Sequence, residues 1–448
     1  MKLDFVIFGG VGDLSLRKLL PSLYYLYRDG NMPSEFRISC VSRAAKSHEE
    51  FIGLVKSKLK EFVGDDFDEV VYADFANNLI YKKVDLSSDE DWVGLADCLN
   101  IQADTDREII YYLSVPPTMF APVCEQIKSL ELNPSFSRLV VEKPLGEDVK
   151  SAQEINDLLS RTFDEKQIFR IDHYLGKPAL QKILEIRNNY PALERRWNKD
   201  HIKRVNITVS EKVGVEGRVE FLDRAGVLRD MVQNHLMQIL SLVAMDLPDE
   251  MQADLIRDQK VAAVKRLSVI DETNVNQLTV KGQYIAGELD GGSVPGYLDE
   301  IKMKNESAAG TGETFVAIKA YIENDRWQNV PFYLRTGKRL SERKAEVEII
   351  LENDQKLFIE IQPEIRFRNL SHINDLQINE KLVADDIRVP EAYEFLIHQI
   401  IKGDQTYFVR DDEIMASWKW IDAVRAGWAT TNQQIENYKA GSNGPTLD

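Results

Sequence analysis

Two halves of different architecture are predicted for this chain: an α/β half with a Rossmann-type dinucleotide-binding domain, then a larger α+β half with a mainly antiparallel sheet. Three observations carry that expectation. Buried strand patterns alternate with helical ones up to about residue 176, as βαβ units require. A glycine turn, Gly9-Gly10-Val11-Gly12, separates the first strand from the first helix. From Ile202 onward the hydrophobic period changes to two, with Val205, Ile207 and Val209 alternating with polar residues. The domains are therefore placed at 1–176, for the dinucleotide, and 177–448, for substrate and oligomerisation.

Composition narrows the function classes. A length of 448 residues with 44% hydrophobics supports more than one full core. A formal charge of −17 argues against nucleic acid as a partner and requires a local cationic patch for any anionic substrate. No stretch approaches the roughly 18 apolar residues of a membrane helix, so no membrane partner is expected. Cys40, Cys98 and Cys124 lie in apolar contexts without metal spacing. Reduced thiols, no metal and a cytoplasmic location are expected from that. The chain enters a strand pattern at Leu3, so no leader segment is expected.

In chain order, Leu3–Phe8 reads as a buried strand and Leu16–Tyr27 as a helix that Pro21 kinks or restarts. Between them Gly9, Gly10, Gly12, Asp13 and Leu14 form a turn that can set backbone N–H groups and a helix N-terminus against a pyrophosphate. Gly-x-x-Gly-x-x-Ser is not the commoner spacing, and a glycine turn without ligand is the alternative. Arg37–Val41 is a second strand, followed by Arg43 and Lys46 with no acid until Glu49. A cation there favours a ribose 2′-phosphate, hence NADP. Residues 44–100 read as polar helices with a strand near Tyr81–Val84. Glu108–Ser114 is a buried strand ending in Val115-Pro116-Pro117, and Arg138–Val141 is another, ending in Glu142-Lys143-Pro144. Ser114, Pro116 and Lys143 then stand at strand carboxyl ends, where such sheets bind ligands.

A helix over Ser151–Ser160 and a strand over Gln167–Ile171 lead to Asp172-His173-Tyr174-Leu175-Gly176-Lys177. His173, Tyr174 and Lys177 can donate three hydrogen bonds to one dianion, and Asp172 can orient a histidine elsewhere; a solvated charged turn is the alternative. Pro178 opens a helix to about Tyr190. Strands follow at 202–209, 277–286, 313–322, 345–351 and 356–362. Between the first two of these, Leu228, Met231, Val232, His235, Ile239 and Leu242 share a helical face. A histidine on an apolar face is usually a hydrogen-bonded core residue, but Asp230 and Asn234 lie close in sequence. A neutral histidine held by a carboxylate can take a hydroxyl proton near pH 7.

Several of these strings resemble the glucose-6-phosphate dehydrogenase family: Gly-Gly-Val-Gly-Asp-Leu-Ser-Leu-Arg-Lys-Leu-Leu-Pro, Ser-Val-Pro-Pro, Glu-Lys-Pro-Leu-Gly, Arg-Ile-Asp-His-Tyr-Leu-Gly-Lys, Gln-Asn-His and Val-Pro-Phe-Tyr-Leu-Arg-Thr-Gly-Lys. The resemblance runs from about residue 4 to the C-terminus, where Trp418-Lys419-Trp420 and Tyr438-Lys439-Ala440-Gly441 resemble the family's last helix and tail. It implies that His235 is the base and Asp172 its orienting partner. It implies a sugar phosphate held by Lys143, His173, Tyr174, Lys177, Glu211, Asp230 and Lys338; Arg343, which follows in Ser-Glu-Arg-Lys, can add a bidentate guanidinium contact to the phosphate. It adds Lys18 to the cofactor contacts, and it makes Lys143 reach both sugar and nicotinamide. A homodimer or homotetramer is expected.

The sequence departs from the family in four places. Ser15 stands where alanine is usual, and Pro178 where glutamate is usual. The helix Ala179–Asn189 lacks the family's Gln-Asn and Arg-Phe-Ala-Asn elements, with Lys182 in place of an asparagine. The chain is short between about 350 and 392, so a second, structural NADP is not expected. The implied activity is oxidation of D-glucose 6-phosphate at C1 to 6-phospho-D-glucono-1,5-lactone, the first oxidative step of the pentose phosphate pathway. Dehydrogenation of a different sugar phosphate, and a non-catalytic paralogue binding NADP and a phosphosugar, stay open at this stage.

Overall fold

The computed structural model describes residues 2–99, 107–304, 308–352, 354–362, 366–369, 379–381 and 388–447. The chain divides into two compact units. One holds 1–146, 150–176 and 390–411; the other holds 147–149, 177–389 and 412–448.

The first unit is built on six parallel strands: β1 (Lys2–Phe8), β2 (Glu35–Ser42), β3 (Leu79–Lys83), β4 (Arg107–Leu113), β5 (Ser137–Val141) and β6 (Ile168–Arg170). Their order is β3-β2-β1-β4-β5-β6, the doubly wound arrangement with β1 and β4 side by side at the switch point. Near-continuous apolar runs such as Phe5–Phe8 and Ile109–Leu113 form the middle strands because helices cover both faces.

Residues 390–411 belong to this unit, not to the 177–448 stretch in which the sequence reading places them. The reason is apolar burial. Helix Ala392–Lys402 sets Leu396, Ile397, Ile400 and Ile401 into the same core as Leu3, Phe5 and Phe169, and Phe408 joins them. Phe408 meets Phe169 edge to face at 4.9 Å.

The second unit carries a nine-stranded sheet. Its strands are β7 (Ile202–Ser210), β8 (Thr279–Ile285), β11 (Phe315–Ala320), β12 (Phe332–Gly337), β13 (Lys344–Leu351), β14 (Lys356–Gln362), β15 (Arg366–Asn369), β16 (Asn379–Lys381) and β17 (Glu436–Lys439); β9 (Gly287–Leu289) and β10 (Gly292–Val294) form a separate hairpin. The order is β16-β15-β14-β13-β7-β12-β11-β8-β17, antiparallel except for β7 with β12 and β8 with β17. The expected strands are present, and β12, read only as a motif in the sequence, is an additional one. Much of the shortened 350–392 stretch lies outside the described residues. Among the described residues no helix is long and apolar enough to cross a membrane.

Candidate active site

In the first unit the sequence-predicted residues gather at the carboxyl ends of the parallel strands. After β1, Gly9 takes φ +82°, and a Cβ there would stand 2.2 Å from the Ser114 carbonyl oxygen. A Cβ on Gly10 would stand 2.5 Å from the Cys40 Cβ. Only glycine lets the turn lie this flat between β2 and β4. Ser15 is buried, its hydroxyl donating to the Gly9 carbonyl at 2.9 Å and lying within hydrogen-bond distance, 3.2 Å, of Ser114 Oγ, so it ties the turn to the end of β4. The first helix opens as a π turn, Ser15–Leu19, and continues as an α-helix, Leu20–Arg28, with Pro21 in its first turn.

Around this turn the polar side chains are spread. Asp13 is exposed and pairs with Arg17 at 3.2 Å, while Leu14 packs against the core. Lys18 donates to Glu391 at 2.6 Å, on the returning segment. Arg43 and Pro116 are exposed at the ends of β2 and β4.

Lys143 follows β5 and enters a cis peptide bond to Pro144. Beside it Glu142 accepts from the Tyr112 hydroxyl at 2.5 Å. Burial pushes the Glu142 carboxyl up to about 7, against the opposing pull of hydrogen bonds from Tyr112 and Tyr393. After β6, buried Asp172 accepts the Tyr174 N–H at 3.0 Å, which tightens the turn His173–Gly176. The His173 ring lies parallel to that of Tyr393, 6.3 Å away, and edge-on to Tyr174. A Cβ on Gly176 would meet the Ala392 carbonyl oxygen at 2.4 Å. Tyr393 and Glu391 went unnoticed in the sequence. They lie more than two hundred residues downstream, and nothing local in their pattern points back.

In the second unit, sheet register does the gathering. β7 and β12 run parallel with Ser210 opposite Gly337, so the next residues, Glu211 and Lys338, emerge side by side. Lys338 donates to Glu211 at 2.5 Å and is 2% exposed. β13 begins with Lys344 opposite Ser210, which puts the exposed Arg343 at the same end of the sheet. Lys177 immediately precedes the helix Pro178–Asn189, and its ammonium donates to Gln362 at 2.5 Å. Lys182 on that helix is half-exposed and paired with Glu185. Arg187 is buried, donating to the carbonyls of Leu242 and Met245 at 3.0 and 2.8 Å.

The histidine segment Leu228–Leu236 is π-helical, then α-helical over Met237–Ala244, and it packs against β7 and β12. A plain α-helix was expected. The difference matters because π bonding joins residues five apart. Asp230 and His235, five apart, therefore lie on the same side of the helix, whereas an α-helix would turn them about 140° from each other. They are 8% and 2% exposed. Glu313, also missed in the sequence, anchors the start of the segment: its Oε1 accepts the Leu228 N–H at 3.0 Å. Its carboxylate fills the space where a Cβ on Gly226, at φ +64°, would sit.

Comparison with known proteins is consistent along the whole chain. Residues 6–182 match the family description "Glucose-6-phosphate dehydrogenase, NAD binding domain", and residues 184–447 match "Glucose-6-phosphate dehydrogenase, C-terminal domain". The glucose-6-phosphate 1-dehydrogenase of Rhizobium meliloti (strain 1021) is 42% identical over 474 residues, covering 99% of this chain and 94% of the relative. That of Bacillus subtilis (strain 168) is 36% identical, with 99% and 95% covered. A solved glucose-6-phosphate dehydrogenase in complex with its substrate glucose-6-phosphate superposes with a TM-score of 0.87 at 32% identity, covering 99% of this chain and 95% of that one. The yeast regulator Gal80p, at TM-score 0.56 and 10% identity, shares the fold alone. The chain belongs to the glucose-6-phosphate dehydrogenase family.

Proposed function

We propose that this chain oxidises D-glucose 6-phosphate at C1 to 6-phospho-D-glucono-1,5-lactone, with NADP as the electron acceptor. The observation that carries the reading is the burial of Asp230 and His235 in one π-helical segment, in a chain whose relatives match it end to end. The retained histidine and Asp172 favour an enzyme over a non-catalytic binding paralogue.

Gly9, Gly10 and Gly12 fit a pyrophosphate, because the flat turn puts no side chain in its way; their own N–H groups are bonded to the Val41 and Gly9 carbonyls, so the helix start that follows them is left to face the anion. Asp13, Leu14, Lys18, Arg43, Ser114, Pro116 and Lys143 complete the cofactor contacts, with Arg43 favouring the 2′-phosphate. When bound, the nicotinamide supplies the hydride acceptor.

His235 takes the O1 proton as hydride departs from C1. Asp172 holds the imidazole and stabilises the imidazolium that forms. His173, Tyr174 and Lys177 hold the phosphate, with Arg343 nearby. Lys143, Glu211, Asp230 and Lys338 hold the sugar. Phosphate binding far from C1 positions the reacting carbon. The Lys182–Glu185 pair satisfies Lys182 within its own helix, which supports reading the departures after Pro178 as compatible with glucose 6-phosphate. A homodimer or homotetramer in the cytoplasm completes the proposal.

The test is a panel of sugar phosphates, each with NADP and with NAD, read by absorbance of the reduced cofactor. Rapid turnover of glucose 6-phosphate with NADP is expected. Turnover of only another sugar phosphate overturns the substrate assignment.

A further inference from the structure

Behind the histidine segment lies a charged cluster sealed from solvent. Lys260, on the helix Ala253–Lys265, and Glu413, on the helix Asp411–Thr430, are both 0% exposed. Lys260 Nζ donates to Gln238 Oε1 at 2.7 Å and to Glu413 Oε2 at 3.2 Å. Gln238 Nε2 donates to Glu413 Oε1 at 2.9 Å, which closes the ring. Gln238 stands three residues after His235, in the first turn of the helix Met237–Ala244.

A second contact lies one helical turn beyond Glu413. At the end of the π segment the Met237 N–H bonds the carbonyls of Val232 and Asn234. It passes over Gln233, whose carbonyl would be its partner in an α-helix. The Gln233 carbonyl instead accepts from the Ser417 hydroxyl at 2.6 Å. One helix thus grips the point where π register returns to α, with a carboxylate on one side and a hydroxyl on the other.

A buried ion pair loses in desolvation about what it gains in attraction, so net stability is a poor reason for it. A π turn is rare in its own right and needs something to hold it. We infer that Lys260, Glu413, Gln238 and Ser417 are positioning residues that lock the π register of Leu228–Leu236 and so keep His235 on the face of Asp230. Without them the segment relaxes toward α register and carries the imidazole around the helix axis. The inference rests on the reading of His235 as the base.

Two perturbations of the full chain, Ser417→Ala and a neutral Lys260/Glu413 double variant, test it, with Ser417→Thr as the rescue and His235→Asn as the control. Ser417→Ala removes the hydroxyl; Ser417→Thr keeps one. Lys260→Met/Glu413→Gln removes both charges together and leaves no buried ion unpaired, which guards against a chain that fails to fold. Ser417→Ala is expected to lower kcat about tenfold with the KM for glucose 6-phosphate changed less than about twofold, and Ser417→Thr to restore it. The neutral double variant is expected to lower kcat by about 10- to 100-fold and to move the acid limb of kcat/KM against pH. Wild-type kcat and pH profile in both variants, with only the melting temperature altered, overturns the inference. A drop in Ser417→Ala that Ser417→Thr does not restore overturns the role of the hydroxyl bond. Retained turnover in His235→Asn removes the base reading itself; lost turnover there with normal Ser417 and Lys260 variants removes only the positioning.

Discussion

The two units assemble their candidate site residues by opposite means. In the first, backbone does the work. Gly9 and Gly10 flatten a turn at the switch point, and the strands of one parallel sheet end where ligands bind. In the second, side chains are set by long-range register. Glu211 and Lys338, 127 residues apart, meet because β7 and β12 run parallel in step. Asp230 and His235 share a face because their segment is π-helical. A backbone site tolerates change in its side chains, while a register site fails when one position shifts. Substitutions in the second unit should therefore hurt more than those in the first.

Four expected outcomes sharpen or break that comparison. The largest is His235→Asn, which should lower kcat by about 10²–10⁴ with modest change in substrate affinity. Next is Lys338→Met, which removes the proposed sugar contact and leaves the Glu211 carboxylate without its Lys338 partner. A fall in kcat/KM of about 100-fold is expected from steady-state rates, and a fall smaller than that of any first-unit variant would reverse the comparison. His173→Asn in the first unit should raise the KM for glucose 6-phosphate about tenfold with kcat kept; an unchanged KM would contradict the phosphate site. Arg43→Ala should lower the preference for NADP over NAD by about tenfold, read as the ratio of kcat/KM values. An unchanged ratio would take the 2′-phosphate away from Arg43.

Glu142 gives a pH test confined to the first unit. Its folded pKa of about 7 lies above the usual carboxylate value of 4.5, chiefly through burial. A raised carboxyl contributes stability that is full below the ordinary value and is lost as pH rises through about 7. Glu142→Gln should remove that loss, so the variant's melting temperature should gain on the wild type between pH 5 and pH 8. A gap that stays constant over that range would show an ionised Glu142 throughout.

The legibility of each unit follows the same division. Strands β1, β2, β4 and β5 were readable because a strand buried on both faces is a local apolar run, and the glycine turn because it is contiguous. The helix Ala392–Lys402 was not singled out in the sequence, and its membership of the first unit was hidden, since an apolar face does not say which core it enters. β12 was visible only as a motif, and its parallel pairing with β7 depends on contacts across the chain. The π register of Leu228–Leu236 was invisible for a physical reason: its causes, Glu313 before it and Ser417 behind it, come from other elements. Asp230 and His235 were named as candidates from the sequence, while the π register of the segment that carries them was not foreseen.

The most direct test of the account follows the hydrogen on C1. Glucose 6-phosphate carrying deuterium at C1 is turned over with NADP, and the reduced cofactor is examined by mass spectrometry. One deuterium per reduced cofactor, with the sugar recovered as the lactone or its hydrolysis product, is the predicted result. Reduced cofactor without the label would contradict C1 as the site of oxidation.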